Sequence, residues 1–198
     1  MTSVILASGS GIRAKLLRDA GVILETDKAK IDEPAIIASL RADNAKPGDI
    51  ADALAEYKAA RVAAKYSDKL VIGCDQILVC EKQIYEKAAT LEEAREKLKS
   101  LRGKAHQLIS AVVIYEQGRP VWRHIGRAQL VMRDFSDDFL NEYLQLNGKD
   151  ILNSVGCYKV ESTGAQLFTH IQGDYFTILG IPLLEVLGFL RNRGVLLV

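Results

Sequence analysis

The stretch V-I-L-A-S-G-S-G-I-R, residues 4–13, decides how the fold begins. Its first four residues form a short apolar run and a Ser-Gly-Ser-Gly loop follows, so the pattern predicts a buried strand that enters a tight loop. Leu16 and Leu17 follow Arg13 at helical spacing, and Gly21 is suited to end a helix. The segment is therefore predicted to form a strand, a loop and a helix.

The loop after this strand has the composition of an anion-binding site. Ser8 supplies a hydroxyl, Gly9 lets backbone N–H groups approach a ligand, and Arg13 falls in the first helical turn. Helix N-termini bind anions because their first N–H groups are free and the helix dipole is positive there. An ordinary helix N-cap that binds nothing has the same local pattern, so both interpretations stay open at this point.

The rest of the chain shows strands and helices that alternate at first, followed by a cluster of strands. Helices are predicted for residues 49–65, for the segments that follow Thr90 and Ser136, and for residues 182–193. Strands are predicted for residues 70–73, 107–115, 121–131, 155–160 and 167–171. Residues 31–34 are predicted to be an extended loop, since Pro34 disfavours helix at Glu33. This order predicts an α/β fold with a mixed sheet and helices packed on it.

Three charged residues are candidates for chemistry. Asp75 is predicted just past the strand at residues 70–73, at a strand end where ligands commonly bind, although it could also cap the next turn. Glu33 is either a solvated acid or, if it converges with Asp75, one half of an oxygen-ligand pair for Mg²⁺. Lys58 lies on the apolar side of its helix, where a lysine either extends to solvent or meets an anion.

Composition narrows the classes of function. The net charge of the 198-residue chain is +1, and its basic residues are spread without an aromatic platform, so no nucleic-acid partner is expected. The chain has no membrane-length apolar stretch and its start lacks the features of a signal peptide, so we expect no membrane partner and a cytoplasmic protein. Neither the three cysteines nor the three histidines show metal-ligand spacing, and both sets are interpreted as structural.

Six motifs in order resemble the Maf family of nucleoside triphosphate pyrophosphatases, which is linked historically to inhibition of septum formation. They are residues 6–13 (LASGSGIR), 31–33 (IDE), 54–59 (LAEYKA), 72–76 (IGCDQ), 103–106 (GKAH) and 171–182 (IQGDYFTILGIP). The resemblance runs from about residue 3 to residue 190. It implies one domain over residues 1–198, with a two-lobed α/β fold and an active-site cleft between the lobes.

The resemblance also implies roles for individual residues. Asp75 would be the proton acceptor, Glu33 and Asp75 would hold a divalent cation (Mg²⁺ or Mn²⁺), and a nucleotide would be the substrate. The triphosphate would be bound by Ser8, Arg13, Lys58 and Lys87. The expected catalytic set consists of Glu33, Lys58, Asp75 and Lys87. A homodimer is implied as well. The chain departs from the family pattern at Gly11, Ile12 and Ala88, and the last departure puts the role of Lys87 in doubt.

Base preference is predicted by analogy from Ile12, Gln76 and Glu161. The dTTP/UTP branch of the family tends to have arginine, threonine and glutamine there, whereas the 7-methyl-GTP branch has a bulky apolar residue, glutamine and glutamate. This chain follows the second pattern at Gln76 and Glu161. A carboxylate also suits a positively charged methylated guanine. The sequence therefore favours a 7-methyl-GTP-like substrate, with a dTTP/UTP preference as the alternative.

Two other functions remain open from the sequence. One is a non-catalytic regulator of septum formation with a vestigial cleft, which the joint presence of Glu33, Lys58 and Asp75 argues against. The other is a phosphatase that releases orthophosphate stepwise, which only the identity of the products distinguishes from a pyrophosphatase.

Overall fold

The computed structural model describes residues 3–197 and has a mixed α/β architecture, as predicted. The strands are Val4–Leu6 (β1), Leu24–Thr26 (β2), Leu70–Cys80 (β3), Gln83–Tyr85 (β4), Ala105–Glu116 (β5), Arg119–Met132 (β6) and Phe168–Gln172 (β7). The α-helices are Gly11–Asp19 (α1), Glu33–Ala42 (α2), Pro47–Ala63 (α3), Leu91–Leu101 (α4), Asp137–Asn147 (α5), Tyr175–Ile178 (α6) and Leu183–Asn192 (α7). Short 3₁₀ helices cover Gly148–Asn153 and Thr163–Leu167.

The strands form one open mixed sheet with the order β2-β1-β3-β5-β6-β7, and β4 pairs with β3. The chain divides into two compact units. The first contains the chain up to Gln76, Ile109–Gly126 and the chain from Asp174 onward, and the second contains Ile77–Leu108 and Arg127–Gly173. Strands β3, β5 and β6 contribute residues to both units.

In the first unit, β1 lies between β2 and β3 and is parallel to both. Leu6 and Ile72 are fully buried and share an apolar core with Leu17 of α1 and with Val186 of α7. This packing explains why the short run at residues 4–6 forms a strand, because it is covered on both sides and buried completely. The carboxyl ends of β1 and β2 consequently meet at the same edge of the sheet.

In the second unit, side-chain caps begin the two longer helices. The hydroxyl of Thr90 accepts a hydrogen bond from the Glu93 N–H at 3.1 Å, and that of Ser136 accepts one from the Phe139 N–H at 3.2 Å. Such caps satisfy N–H groups that a helix leaves unpaired in its first turn. Both helix starts were predicted correctly from these residues.

Two predictions about the candidate acids were wrong. Glu33 does not lie in an extended loop but begins α2, because Pro34 falls in the first turn, where a helix needs no proline N–H, and Asp32 caps the Ala35 N–H at 3.1 Å. Asp75 does not follow its strand but lies inside β3, which continues to Cys80. The pairing of β3 with β1 nevertheless stops at Ile72, so Asp75 lies beyond the end of β1.

The predicted strand at residues 155–160 was also wrong. These residues form turn, bend and irregular structure, and Cys157 has a φ of +57°, in the left-handed region rather than the extended region of a strand. The other predicted strands and helices are present with shifted ends; for example, the helix predicted at residues 49–65 is α3, Pro47–Ala63. Among the residues described, no helix is both long and apolar enough to cross a membrane.

Candidate active site

Most of the side chains proposed from the sequence lie in the first unit. Ser8 is in the loop after β1, Arg13 is in α1, Lys58 is in α3, and Asp75 is in β3. The remaining members of this group in the first unit are Ile12, Glu33 and Gln76. Lys87 and Glu161 belong to the second unit, where both side chains are exposed. The structure thus brings together the candidate metal ligands and three of the four candidate phosphate-binding residues.

A lysine between two carboxylates forms the centre of this group. The Lys58 Nζ lies 2.5 Å from Asp75 Oδ1 and 3.0 Å from Glu33 Oε1. The side chain of Asp75 is 8% exposed and that of Lys58 is 12% exposed, whereas that of Glu33 is 48% exposed. Glu33 and Asp75, which lie in different elements, therefore converge on the ammonium group of Lys58. Of the two possibilities that the sequence left open for Lys58, the structure shows the contact with anions.

Burial dominates the proton affinity of Asp75. Removal of this carboxyl group from water raises its pKa, and the positive charges of Lys58 and Arg13 oppose that shift only in part. The neighbouring Cys74 thiol is completely buried, and the same desolvation raises its pKa to about 11, so it stays neutral near pH 7. Cys74 is consequently a packing residue, as predicted, while Asp75 is the titratable group of β3 that faces charged partners.

Arg13 connects three separate segments of the first unit. Its Nε donates to the Gly180 carbonyl at 2.8 Å, and its Nη1 donates to the Cys74 carbonyl at 3.0 Å and to Ser8 Oγ at 3.2 Å. Ser8 Oγ also accepts from the Ser10 N–H. This fixed guanidinium holds the loop after β1 against β3, and it leaves Nη2 without an acceptor among residues 3–197.

The start of α1 is not an ordinary side-chain-capped helix end. Ser10 occupies the N-cap position, but its hydroxyl accepts no hydrogen bond from the first turn. The N–H groups of Gly11 and Ile12 are therefore not satisfied by a capping side chain, and Gly11 has open space where a Cβ would lie. This geometry favours the anion-binding interpretation of the loop over the ordinary N-cap.

Gln76 is engaged by the protein itself. Its Nε2 lies 3.0 Å from Ser110 Oγ, 3.1 Å from the Thr177 carbonyl and 3.0 Å from the Ile178 carbonyl. Since carbonyl groups only accept, the amide nitrogen must face them, and only the amide oxygen is left for a ligand. Gln76 thus holds α6 in place, a role that the sequence did not indicate.

Lys28 is a candidate that sequence reasoning missed. Its Cδ lies 3.0 Å from the position that a Cβ on Gly9 would occupy, so its side chain runs along the Ser-Gly-Ser loop. No hydrogen bond or ion pair joins Lys28 to another residue within 3–197. A pocket of about 750 Å³ is lined by residues 28–34, which include Glu33. The loop after β1 and the loop after β2 are neighbours because the two strands pair in parallel, with Leu6 opposite Thr26. The spacing of these residues in the sequence does not indicate this.

The donor set fits a magnesium-like ion that is bound together with a substrate. Two carboxylates that both reach one ammonium group can also approach one hard cation, and oxygen is the ligand that such cations prefer. Within the described part of the chain, no three His, Cys, Asp or Glu side chains cluster as a metal cage. Glu33 and Asp75 would therefore share the ion with water and phosphate oxygens, as is usual for Mg²⁺.

Comparisons with known proteins identify the family of this chain. The family model described as "Maf-like protein" matches residues 3–193. A curated protein of Caulobacter vibrioides is 50% identical over 198 residues, covering 100% of this chain and 99% of its own, and one of Ruegeria sp. (strain TM1040) is 48% identical, covering 98% of each; both are named nucleoside triphosphate pyrophosphatase. A Rhizobium meliloti protein named 7-methyl-GTP pyrophosphatase is 46% identical and covers 96% of each chain. This chain belongs to the Maf family.

Proposed function

We propose that this protein is a nucleoside triphosphate pyrophosphatase, a hydrolase that converts a nucleoside triphosphate to the monophosphate and pyrophosphate. The observation that carries the proposal is the cluster of Glu33, Lys58 and Asp75 beside the loop that Arg13 holds. Full-length relatives with this activity in their names support it. We treat the whole chain as one catalytic domain.

Each side chain of the cluster has a chemical task in this reaction. Asp75 accepts a proton from the water that attacks the α-phosphorus, and its burial favours that step by raising the pKa of the carboxyl group. Lys58 and Arg13 neutralise phosphate oxygens that would otherwise repel the nucleophile, while Ser8 contributes a hydroxyl. A divalent cation held by Glu33 and Asp75 supplies further positive charge to the phosphates when it is bound. Lys87 is assigned to phosphate binding by the family resemblance alone.

We further propose a 7-methyl-GTP-like substrate, with dTTP or UTP as the alternative. The support is Glu161 and Gln76, together with the Rhizobium meliloti relative that has 7-methyl-GTP in its name. A carboxylate at Glu161 favours a cationic base, so Glu161→Gln should lower kcat/KM for 7-methyl-GTP and leave the value for dTTP nearly unchanged. An equal loss on both nucleotides would contradict the assignment of Glu161 to base recognition.

The experiment for the reaction itself is a product assay with purified protein and Mg²⁺ over dTTP, UTP, CTP, GTP and 7-methyl-GTP. Pyrophosphate and the matching monophosphate are expected, and Asp75→Asn should lower the rate by roughly 10²-fold or more. Release of orthophosphate alone would mean a stepwise phosphatase, and absence of turnover would favour a binding protein. Asp75→Asn that kept full activity would remove Asp75 from the mechanism.

Three wider assignments belong to the same proposal. The enzyme acts in the cytoplasm, where three buried free thiols stay reduced. It acts as a homodimer, and light scattering tests this by measuring the molar mass in solution. Its role is removal of unwanted nucleotides, with a link to arrest of cell division. If overproduction of wild-type protein blocks septation and Asp75→Asn does not, catalysis causes the arrest; if both do, the protein acts through contacts.

A further inference from the structure

Lys58 occupies the position in which the two candidate metal ligands converge. Its ammonium group contacts Asp75 Oδ1 at 2.5 Å and Glu33 Oε1 at 3.0 Å, and its side chain is 12% exposed. These are the carboxylates that the proposed function assigns to a divalent cation. The same two carboxylates therefore have two possible cationic partners, the Lys58 ammonium group and the divalent cation.

Glu33 and Asp75 cannot bind the Lys58 ammonium group and a divalent cation together as tightly as either one alone. Near a buried carboxylate water screens poorly, so a second cation beside an ammonium group is repelled more strongly than at the surface. We propose that Lys58 and the divalent cation compete for Glu33 and Asp75, and that cation binding releases the Lys58 ammonium group for the substrate phosphates. This inference rests on the proposed function and assigns Lys58 a second task, which is to hold the acid pair together before the cation arrives.

In this proposal Lys58 is the cation that moves, and Arg13 is the one that stays in place. Arg13 donates to two main-chain carbonyls, those of Gly180 and Cys74, and these bonds would have to break before it moved. Within residues 3–197, the ammonium group of Lys58 contacts the two carboxylates and no main-chain carbonyl. Its four-carbon stem lets the ammonium group turn away without any shift of α3. The release of one lysine is therefore the smallest rearrangement that admits a cation.

The competition couples the two ligands of the enzyme. If phosphate groups capture the Lys58 ammonium, the acid pair becomes free for the cation, and by linkage the cation must strengthen phosphate binding by the same factor. With this coupling, Lys58 contacts the carboxylates before substrate binds and the phosphates afterwards. If Lys58 only neutralised phosphate, replacing it would not change the affinity for the divalent cation in nucleotide-free protein.

The test is Mn²⁺ binding to nucleotide-free protein, followed by the electron paramagnetic resonance of free Mn²⁺ and by calorimetry. Lys58→Met removes the competing charge, so we expect Mn²⁺ to bind at least about fivefold more tightly than to wild type. Lys58→Arg keeps the charge and should stay close to wild type. Lys65→Gln is the matched control, because Lys65 lies just beyond α3 and pairs with Asp27 at 2.8 Å, outside the acid pair.

Equal or weaker Mn²⁺ binding by Lys58→Met, in protein shown by circular dichroism to be folded, would overturn the competition, as would absence of binding to every form. Lys58→Gln, which is polar and nearly as long, replaces Lys58→Met if the latter does not fold. The product assay is a separate measurement: pyrophosphate release without the affinity change leaves the proposed function standing and removes this inference alone.

Discussion

Gly73 of β3 lies in direct backbone contact with Ala55 of α3. A Cβ built on Gly73 would come within 2.2 Å of the Ala55 carbonyl oxygen and 2.7 Å of the Ala59 nitrogen, so no side chain fits between the strand and the helix at this point. This close approach lets Lys58, which precedes Ala59, reach Asp75 two residues further along the strand. The ion cluster thus depends on a position that carries no charge.

Gly73→Ala should therefore be strongly destabilising. The added methyl group overlaps backbone atoms rather than a flexible side chain, and we expect a loss of about 3 kcal/mol in the free energy of unfolding, measured by urea titration. Gly11→Ala is the control, since a Cβ there meets nothing within 4 Å; it should change stability by zero to about +1 kcal/mol. Equal stability of the two variants would mean that β3 and α3 are not in contact at Gly73.

Arg13→Lys should impair both stability and catalysis although it keeps the charge. A lysine cannot donate to the Gly180 and Cys74 carbonyls and to Ser8 Oγ together, because it lacks the guanidinium fork. We expect kcat/KM to fall by roughly tenfold or more and the unfolding temperature to fall as well. Steady-state kinetics and thermal unfolding check this, and wild-type values in both would show that Arg13 is only a surface charge.

Lys28→Ala should weaken substrate binding with little effect on turnover. The side chain runs along Gly9 and has room to approach phosphates, so KM should rise by roughly three- to tenfold at low salt and the difference should shrink as ionic strength rises. Lys30→Ala removes the same charge from the same loop and should have the smaller effect. If both variants raise KM equally, only the general charge of the loop matters.

His106 should make stability depend on pH. Burial lowers its pKa from 6.5 to about 4. Between pH 4 and pH 6.5 the imidazole is therefore protonated in the unfolded chain and neutral in the folded protein. Its contribution is intact above pH 6.5 and is lost as pH falls towards 4, by roughly 3 kcal/mol in total. Wild type should lose more unfolding free energy than His106→Gln between pH 7 and pH 5, and parallel losses in urea titrations would contradict this.

Local sequence patterns predicted the elements whose signals are themselves local. The apolar run at Val4 gives β1, and the hydroxyls of Thr90 and Ser136 begin their helices, because these effects act within a few residues. Glu33 was misplaced because two local rules conflict at Pro34, and the cap from Asp32 outweighed the preference of a pre-proline residue for extended structure. The turn before Cys157 contains Gly156, but the residue with the positive φ is the cysteine, and cysteine is not a residue type that predicts this conformation.

The family follows from the sequence alone, because the six motifs and their order do not depend on coordinates, and the same motifs nominate the acids, the lysine and the arginine as candidates. How these side chains meet depends on the folded chain. The contacts of Lys58 with Glu33 and Asp75, and of Arg13 with Gly180, join residues far apart in the chain. Such contacts follow from strand register and helix packing, which no local pattern encodes.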